Sequence, residues 1–247
     1  LLYAARSIAA GVDAELGKHV ALAELLARSP ALHDLNLDAF EAEVRHRIPS
    51  GRSTWVLVTD VNGQQLVNTL AQPNQPLPRH NPIANEAQQR TLARGDIVIS
   101  DVMQDPIAQD WIVTIEAPIF KDGERFWGLA VVMRARGFLP LLSERHTPTS
   151  WLVGIIDGQG RFIARVPQGA TKVGQLASRG WRAVKDRTGL FEYLSLEGDA
   201  LITANAHPSI GNWTVGVAVK KAELQAAAWN TVHWAAFLGA GLSMASL

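Results

Sequence analysis

The chain states one pattern twice, and this constrains its fold more than any other feature. Residues 53–63 read Ser-Thr-Trp-Val-Leu-Val-Thr-Asp-Val-Asn-Gly, an apolar run led by an aromatic residue and closed by Asp and a Gly turn. Residues 149–160 read Thr-Ser-Trp-Leu-Val-Gly-Ile-Ile-Asp-Gly-Gln-Gly. A second apolar run follows each copy, over residues 65–70 and 161–166. Each copy ends on a similar segment, Phe-Trp-Gly-Leu-Ala-Val-Val at 126–132 and Asn-Trp-Thr-Val-Gly-Val-Ala-Val at 212–219. Every sheet must bury an apolar face. A repeated α/β unit therefore implies a duplicated scaffold with two sheets rather than one large active site.

Composition sets the bounds around that scaffold. A chain of 247 residues, 47% of them hydrophobic, suffices for one large core or two ordinary ones. Acidic and basic residues balance at 23 each, and no basic stripe suggests a nucleic-acid partner. The absence of cysteine excludes a disulfide framework, a thiolate metal site and a Cys nucleophile. There is no Gly-x-Ser-x-Gly elbow, phosphate-binding Gly loop or His-Glu-x-x-His pair. The sequence thus gives no catalytic residue, cofactor or metal site for this stretch of chain. The seven histidines are scattered; His80 has no second ligand at a metal-binding spacing and reads as a hydrogen-bonding or solvated side chain.

Residues 1 to about 28 read as one helix, with Ile8, Val12, Leu16, Val20, Ala23 and Ala27 on an apolar stripe at three-and-four spacing. That stripe suits the domains behind it, a twin helix in a homodimer, or both. Ser29-Pro30 ends the helix. A second helix spans about 36–47, with Asp38 in its first turn and Pro49-Ser50-Gly51 after its end. The first module has strands at 55–59 and 65–70, joined by an Asn62-Gly63 turn with positive-φ positions. A loop at 71–82 with four prolines follows, then a helix at 83–94 stopped by Gly95. Its last strands are 96–102, 111–120 and 125–134. The second module has strands at 151–157, 161–166, 189–196, 200–206 and 213–219, with a shorter middle segment. The boundaries expected are 1–50 (helical segment), 51–136 (first module), 137–149 (connector), 150–221 (second module) and 222–247 (C-terminal helix). Residues 226–247 carry no charged side chain, and Trp229 and Trp234 stand near their start. This reads as the beginning of a membrane-spanning helix; the alternative is a buried C-terminal helix.

The fold class is α+β: a long N-terminal helix and two tandem PAS-like modules, each with a roughly five-stranded antiparallel sheet and flanking helices. This order of elements resembles the double Cache (PDC) sensor domains of bacterial membrane receptors. The Asp60-Val-Asn-Gly63 turn, the hairpin after Ala117-Pro118-Ile119 and the closing segment Gly128-Leu-Ala-Val-Val132 look like that family. The resemblance covers nearly the whole chain and rests on element order, since each motif is common by itself. It implies an extracytoplasmic (periplasmic) sensor on a receptor of the inner membrane, most simply a two-component histidine kinase whose cytoplasmic part holds the catalysis. A diguanylate cyclase or chemoreceptor implies the same outer domain. A reading from another class is a soluble lipid- or partner-binding α+β protein.

The resemblance also implies a ligand pocket in the first module, covered by the excursion between its second and third strands. The lid candidates are Arg79-His80-Asn81 and residues 86–90. Side chains alternate along the strand from Trp111: Trp111, Val113 and Ile115 share one face, and Ile112, Thr114 and Glu116 the other. The expected site is Arg79, His80, Asn81, Asp101, Trp111, Val113 and Ile115. Arg79 would clamp a carboxylate, Asp101 would meet an amine or hydroxyl, and Trp111 would stack on a flat or methylated group. Each has a plainer reading: Arg79 solvated, Asp101 capping a strand, the tryptophans packing cores. The Tyr-, Arg-, Trp- and Asp-bearing signature of amino-acid-binding members is not met, because the two tyrosines are Tyr3 and Tyr193. Small organic acids remain the ligand class in view.

Overall fold

A computed structural model describes residues 1–48, 53–121, 124–143, 148–167 and 169–225. Helix α1 (Leu2–Ala27) is followed by α2 (Pro30–His33) and α3 (Leu37–Arg47). Module one contains β1 (Thr54–Thr59), β2 (Gln65–Asn68), α4 (Pro82–Arg94), β3 (Val98–Ile99), β4 (Met103–Asp105), β5 (Asp110–Lys121) and β6 (Glu124–Arg134). A 3-10 turn (Ala135–Phe138) and α5 (Leu139–Ser143) lead to module two. That module contains β7 (Leu152–Ile156), β8 (Phe162–Val166), α6 (Gly169–Lys172), α7 (Arg179–Val184), β9 (Gly189–Leu194), β10 (Ala200–Ala206) and β11 (Thr214–Lys220).

The two sheets are antiparallel and share one topology. Their orders are β2-β1-β6-β5-β3, with β4 also on β5, and β8-β7-β11-β10-β9. Each closing strand sits in the centre, between the first strand and the penultimate one. The repeated Asp builds the same turn in both modules. Asp60 Oδ1 accepts from the amides of Asn62 and Gln64, and Asp157 Oδ1 from those of Gln159 and Arg161. Only the glycine of each turn takes a left-handed backbone, Gly63 at φ 77° and Gly160 at φ 79°. The register slips at both turns, after Val58 and after Ile155, so each is a bulged turn rather than the two-residue hairpin expected around Asn62.

Helix α1 lies across both sheets. Its stripe of Ala5, Ile8, Ala9, Val12, Leu16, Ala23 and Leu26 is buried. It forms one apolar cluster with Val56, Val113, Ile115 and Val131 of module one and Val153, Ile155, Val215 and Val217 of module two. Of the uses expected for this stripe, packing against the domains behind it is the one seen within the chain. Asp13 fixes the helix to module two by accepting from Ser209 N (2.9 Å), Ser209 Oγ (2.7 Å) and Ile210 N (2.9 Å). Helix α1 ends at Ala27, ahead of Ser29-Pro30 as expected, and Pro30 then occupies the first turn of the short α2, where its missing N–H costs nothing. Among the described residues no helix is long and apolar enough to cross a membrane. The expected spanning segment, 226–247, lies outside the described residues.

The modules are also fastened to each other directly. Asp101 Oδ1 accepts from Gly158 N at 2.9 Å, and Asp157 Oδ2 accepts from Val102 N at 3.0 Å. Each module thus offers a carboxylate to the other's backbone. Trp111 closes the same junction. Gly174 has φ 79°, and a Cβ there would lie 2.1 Å from the Trp111 ring. Gly174→Ala should therefore destabilise the chain by about 2–4 kcal/mol through overpacking and left-handed strain. Gly137→Ala, with nothing within 4 Å of the new Cβ, should cost less than about 0.5 kcal/mol. Chemical denaturation compares the two, and an unmoved midpoint for Gly174→Ala would contradict this packing.

Candidate functional site

Strand alternation gives each sheet two faces, and α1 takes one of them. In module one α4 covers the other. It packs against Trp55 and Leu57 of β1, Ile112 of β5, and Ala130 and Val132 of β6. Cross-strand register puts Leu57, Ala130 and Glu116 in one row, and Trp55, Val132 and Thr114 in the next. Helix α4 turns Ala84, Ala87, Gln88 and Thr91 inward. Asn81 caps it by accepting from Ile83 N at 2.9 Å, and Gly95 (φ 82°) closes it.

This layer between α4 and the sheet collects buried polar atoms that have no hydrogen-bond partner in the protein. They are Trp55 Nε1, both ring nitrogens of His80, Asn85 Oδ1, Gln88 Oε1, Thr114 Oγ1 and both carboxyl oxygens of Glu116. Buried polar groups are nearly always paired, so such a concentration calls for a physical reason. The groups adjoin one another. Gln88 lies over Gly128 and donates to Asp60 O at 2.7 Å. Thr91, one turn later, donates to Glu116 O at 3.2 Å. His80 and Asn85 meet beside Gly63. Further along the face, Arg134 stacks over Trp55 at 5.3 Å and pairs with Asp110 at 2.8 Å.

Burial dominates the electrostatics. Glu116 is fully buried, and desolvation pushes its carboxyl up to about 8; the nearby Thr114 hydroxyl offsets a smaller part. Burial likewise pushes His80 down to about 4, partly opposed by Gln88. At neutral pH both groups are uncharged. At the module junction, Asp157 is raised to about 6, first by burial and also by the charge of Asp101, against the backbone amides it accepts from.

The residues expected from sequence separate into three places. His80 enters the layer beneath α4. Arg79 and Asn81 line an adjoining surface groove of about 570 Å³ with Gln104, Asp105, Pro106 and Gln109. Asp101 and Trp111 stand at the module junction, while Val113 and Ile115 face α1. The expected face of β5 is therefore the opposite one from the face that α4 covers, where Thr114 and Glu116 lie. A one-residue shift in parity exchanges every side chain between faces. The missed residues were signalled by the repeat: Thr114-Ile-Glu-Ala117 returns as Thr203-Ala-Asn-Ala206.

In module two a side chain of α7 enters the equivalent layer, beside a cavity bounded by Gly154, Trp181, Tyr193, Thr203 and Gly216, with Thr203 Oγ1 buried and unpaired. Gly154, Gly216 and Asn205 occupy the row equivalent to Leu57, Ala130 and Glu116. Trp181 of α7 lies on the two glycines; a Cβ on Gly216 would lie 2.4 Å from its ring. Its Nε1–H donates to Asn205 Oδ1 at 3.1 Å, and Asn205 donates to Val184 O at 3.1 Å.

No family model matches the sequence, and no curated protein matches it. The fold does match solved structures. The ligand-binding domain of the Pseudomonas aeruginosa amino-acid chemoreceptor PctB, in complex with L-Gln, is 17% identical at TM-score 0.66 and covers 89% of each chain. The ligand-binding domain of the Pseudomonas fluorescens chemoreceptor CtaA, in complex with L-isoleucine, is 15% identical at TM-score 0.66, covering 90% of this chain and 91% of its own. The extracellular domain of mmHK1S-Z2, assigned as a histidine kinase, is 14% identical at TM-score 0.66, covering 91% and 97%. The chain thus has the tandem PAS-like fold of receptor ligand-binding domains, over nearly its whole described length.

The site also governs stability. The folded-state carboxyl of Glu116 sits above its ordinary 4.5, so folding favours its protonated form. That contribution is full at low pH and is lost as pH rises through about 8. Asp157 acts in the same sense between 3.8 and about 6. His80 acts in the opposite sense between about 4 and 6.5. Of these three, Glu116 alone acts from pH 6.5 to 8. The melting temperature should fall across that window, and Glu116→Gln should flatten the fall. An equal slope in both proteins would place the shift elsewhere.

Proposed function

We propose that this chain is the extracytoplasmic small-molecule-sensing region of a transmembrane receptor, with its ligand bound in module one between α4 and the sheet. The observation that carries this reading is the layer of unpaired, buried polar side chains in a fold otherwise found in receptor ligand-binding domains. Module two, where Trp181 occupies the equivalent layer, serves as the scaffold that passes the change on. Helix α1 packs on both sheets, so a shift of module one would move α1 relative to the C-terminal strand β11. A small shift in the populations of two such arrangements is enough to signal.

For the output we keep a sensor histidine kinase, which would make the whole protein an enzyme through a separate cytoplasmic part. The chemoreceptor neighbours favour a second reading of the output, with the same outer domain. Extending the gene past residue 247 separates the two, by a kinase or by a methyl-accepting coiled coil. A homodimer would use the outward face of α1, where Tyr3 and Leu25 are exposed, because the inward stripe is occupied.

Ligand binding should raise the melting temperature, by an amount equivalent to about 2.7 kcal/mol at a hundredfold excess over Kd. A thermal-shift panel of small amines, amino acids and carboxylates should give at least one response. If a carboxylate responds, Arg79→Ala should abolish its shift. A panel without any response would contradict the sensor reading.

A further inference from the structure

Module two holds a cavity that the reading of module one does not use. Trp181 lies over Gly154 and Gly216, and the next row of the sheet carries Leu152, Ala218 and Thr203. Ala218 and Thr203 are small, so a gap remains between that row, Trp181 and the hairpin joining β9 to β10. Phe162 and Tyr193 wall it, and Leu196, 42% exposed, stands at its mouth. Its atom-free space is about 380 Å³ with the mouth included, and about 30 Å³ of that admits the centre of a water-sized group. The gap therefore suits a small, slender guest.

One polar side chain in this gap lacks a partner. Thr203 is 1% exposed, and its Oγ1 makes no hydrogen bond. The Tyr193 hydroxyl adjoins it: burial raises the phenol pKa, and Thr203 opposes a smaller part of that shift. A hydroxyl both donates and accepts, so one guest oxygen, alcohol or carbonyl, can serve the pair. The remaining polar groups are engaged. Ser178 Oγ accepts from Trp181 N, and Ser195 Oγ from the amides of Glu197 and Asp199. Arg165 is the one charged side chain among the described residues lining the cavity. Both its terminal nitrogens donate to Glu197, at 2.9 and 2.8 Å. That pairing, together with Lys172 at 3.4 Å, leaves the guanidinium no unmet charge to offer.

We propose that this cavity is a second binding site, for an uncharged molecule carrying one oxygen on a short aliphatic chain, an alcohol or a ketone, whose oxygen bonds the Thr203 and Tyr193 hydroxyls. The chain lies along the apolar walls and leaves by the mouth at Leu196. Apolar walls with one polar point are what such a guest requires. A cation would be desolvated there without an ionised partner. An anion would have to displace Glu197 from a two-fold pair with Arg165. The site goes beyond the sensor reading, which places its ligand in module one.

An NMR titration of the isotope-labelled protein tests this with n-butanol and butanone against butyrate and butylamine, which keep the chain and carry a charge. The alcohol or the ketone should shift the amides of Gly154, Gly216 and Ala218 saturably. The charged pair should bind at least about tenfold more weakly. Thr203→Val keeps the shape and removes the hydroxyl. It should weaken binding about three- to tenfold without lowering the melting temperature, because that hydroxyl has no protein partner to lose. Ala218→Val fills the gap and should abolish the shifts, which guards against a misfolded Thr203 variant. Arg79→Ala, in module one, should leave them unchanged. Equal binding of butyrate or butylamine would overturn the inference. So would binding unchanged in a folded Thr203→Val or Ala218→Val protein, or no saturable response to either neutral compound, which would mean a bound water only. Each of these results leaves the reading of module one standing.

Discussion

The apolar stripe of α1 is the constraint on which the rest of the structure depends. One helix buries one face of each sheet, so the two modules share a core instead of owning separate ones. The opposite faces are left to be covered locally, by α4 in module one and α7 in module two. Two carboxylates then fix the angle between the modules, each accepting from a backbone amide of the other. Because Asp157 also organises its own turn, the device that shapes the repeat is the device that joins its copies.

Duplication supplies an internal control that a single module would lack. The same topology, register and polar position recur, but the chemistry at that position diverges. In module two a tryptophan enters over two glycines and satisfies Asn205. In module one Leu57 and Ala130 stand where the glycines would be, and the helix above them is lined with small and polar residues. A fully buried, unpaired carboxyl is costly to stability. Residues that weaken the folded state in this way concentrate where binding occurs. The neutral state of Glu116 and His80 limits that cost.

Much of this fold was legible in the sequence because local rules and the global arrangement agree. The Asp-x-x-Gly spacing located both turns, strand periodicity located every major strand, and the stripe from Ile8 to Ala27 located α1. The short helices α2, α6 and α7 were not legible, since pieces of four to six residues carry little periodicity. The site was half legible. His80 lies in the layer beneath α4 and the helix following it was legible, whereas the face of β5 expected to line a pocket packs against α1 and the module junction. Trp111, Val113 and Ile115 are the more apolar face, and apolar residues go where the largest core is, which is under α1. Parity also separates two tryptophans that look equivalent. Trp55 precedes its Asp by five residues and Trp151 by six, so Trp55 faces α4 while Trp151 packs in the core shared with α1.

The central claim is that the layer beneath α4 in module one holds a buried carboxyl neutral, out of reach of water. Infrared spectroscopy reads that state at the residue itself. Near neutral pH the protein should show the carbonyl band of a protonated carboxyl, missing in Glu116→Gln. A band already ionised near neutral pH would contradict the account.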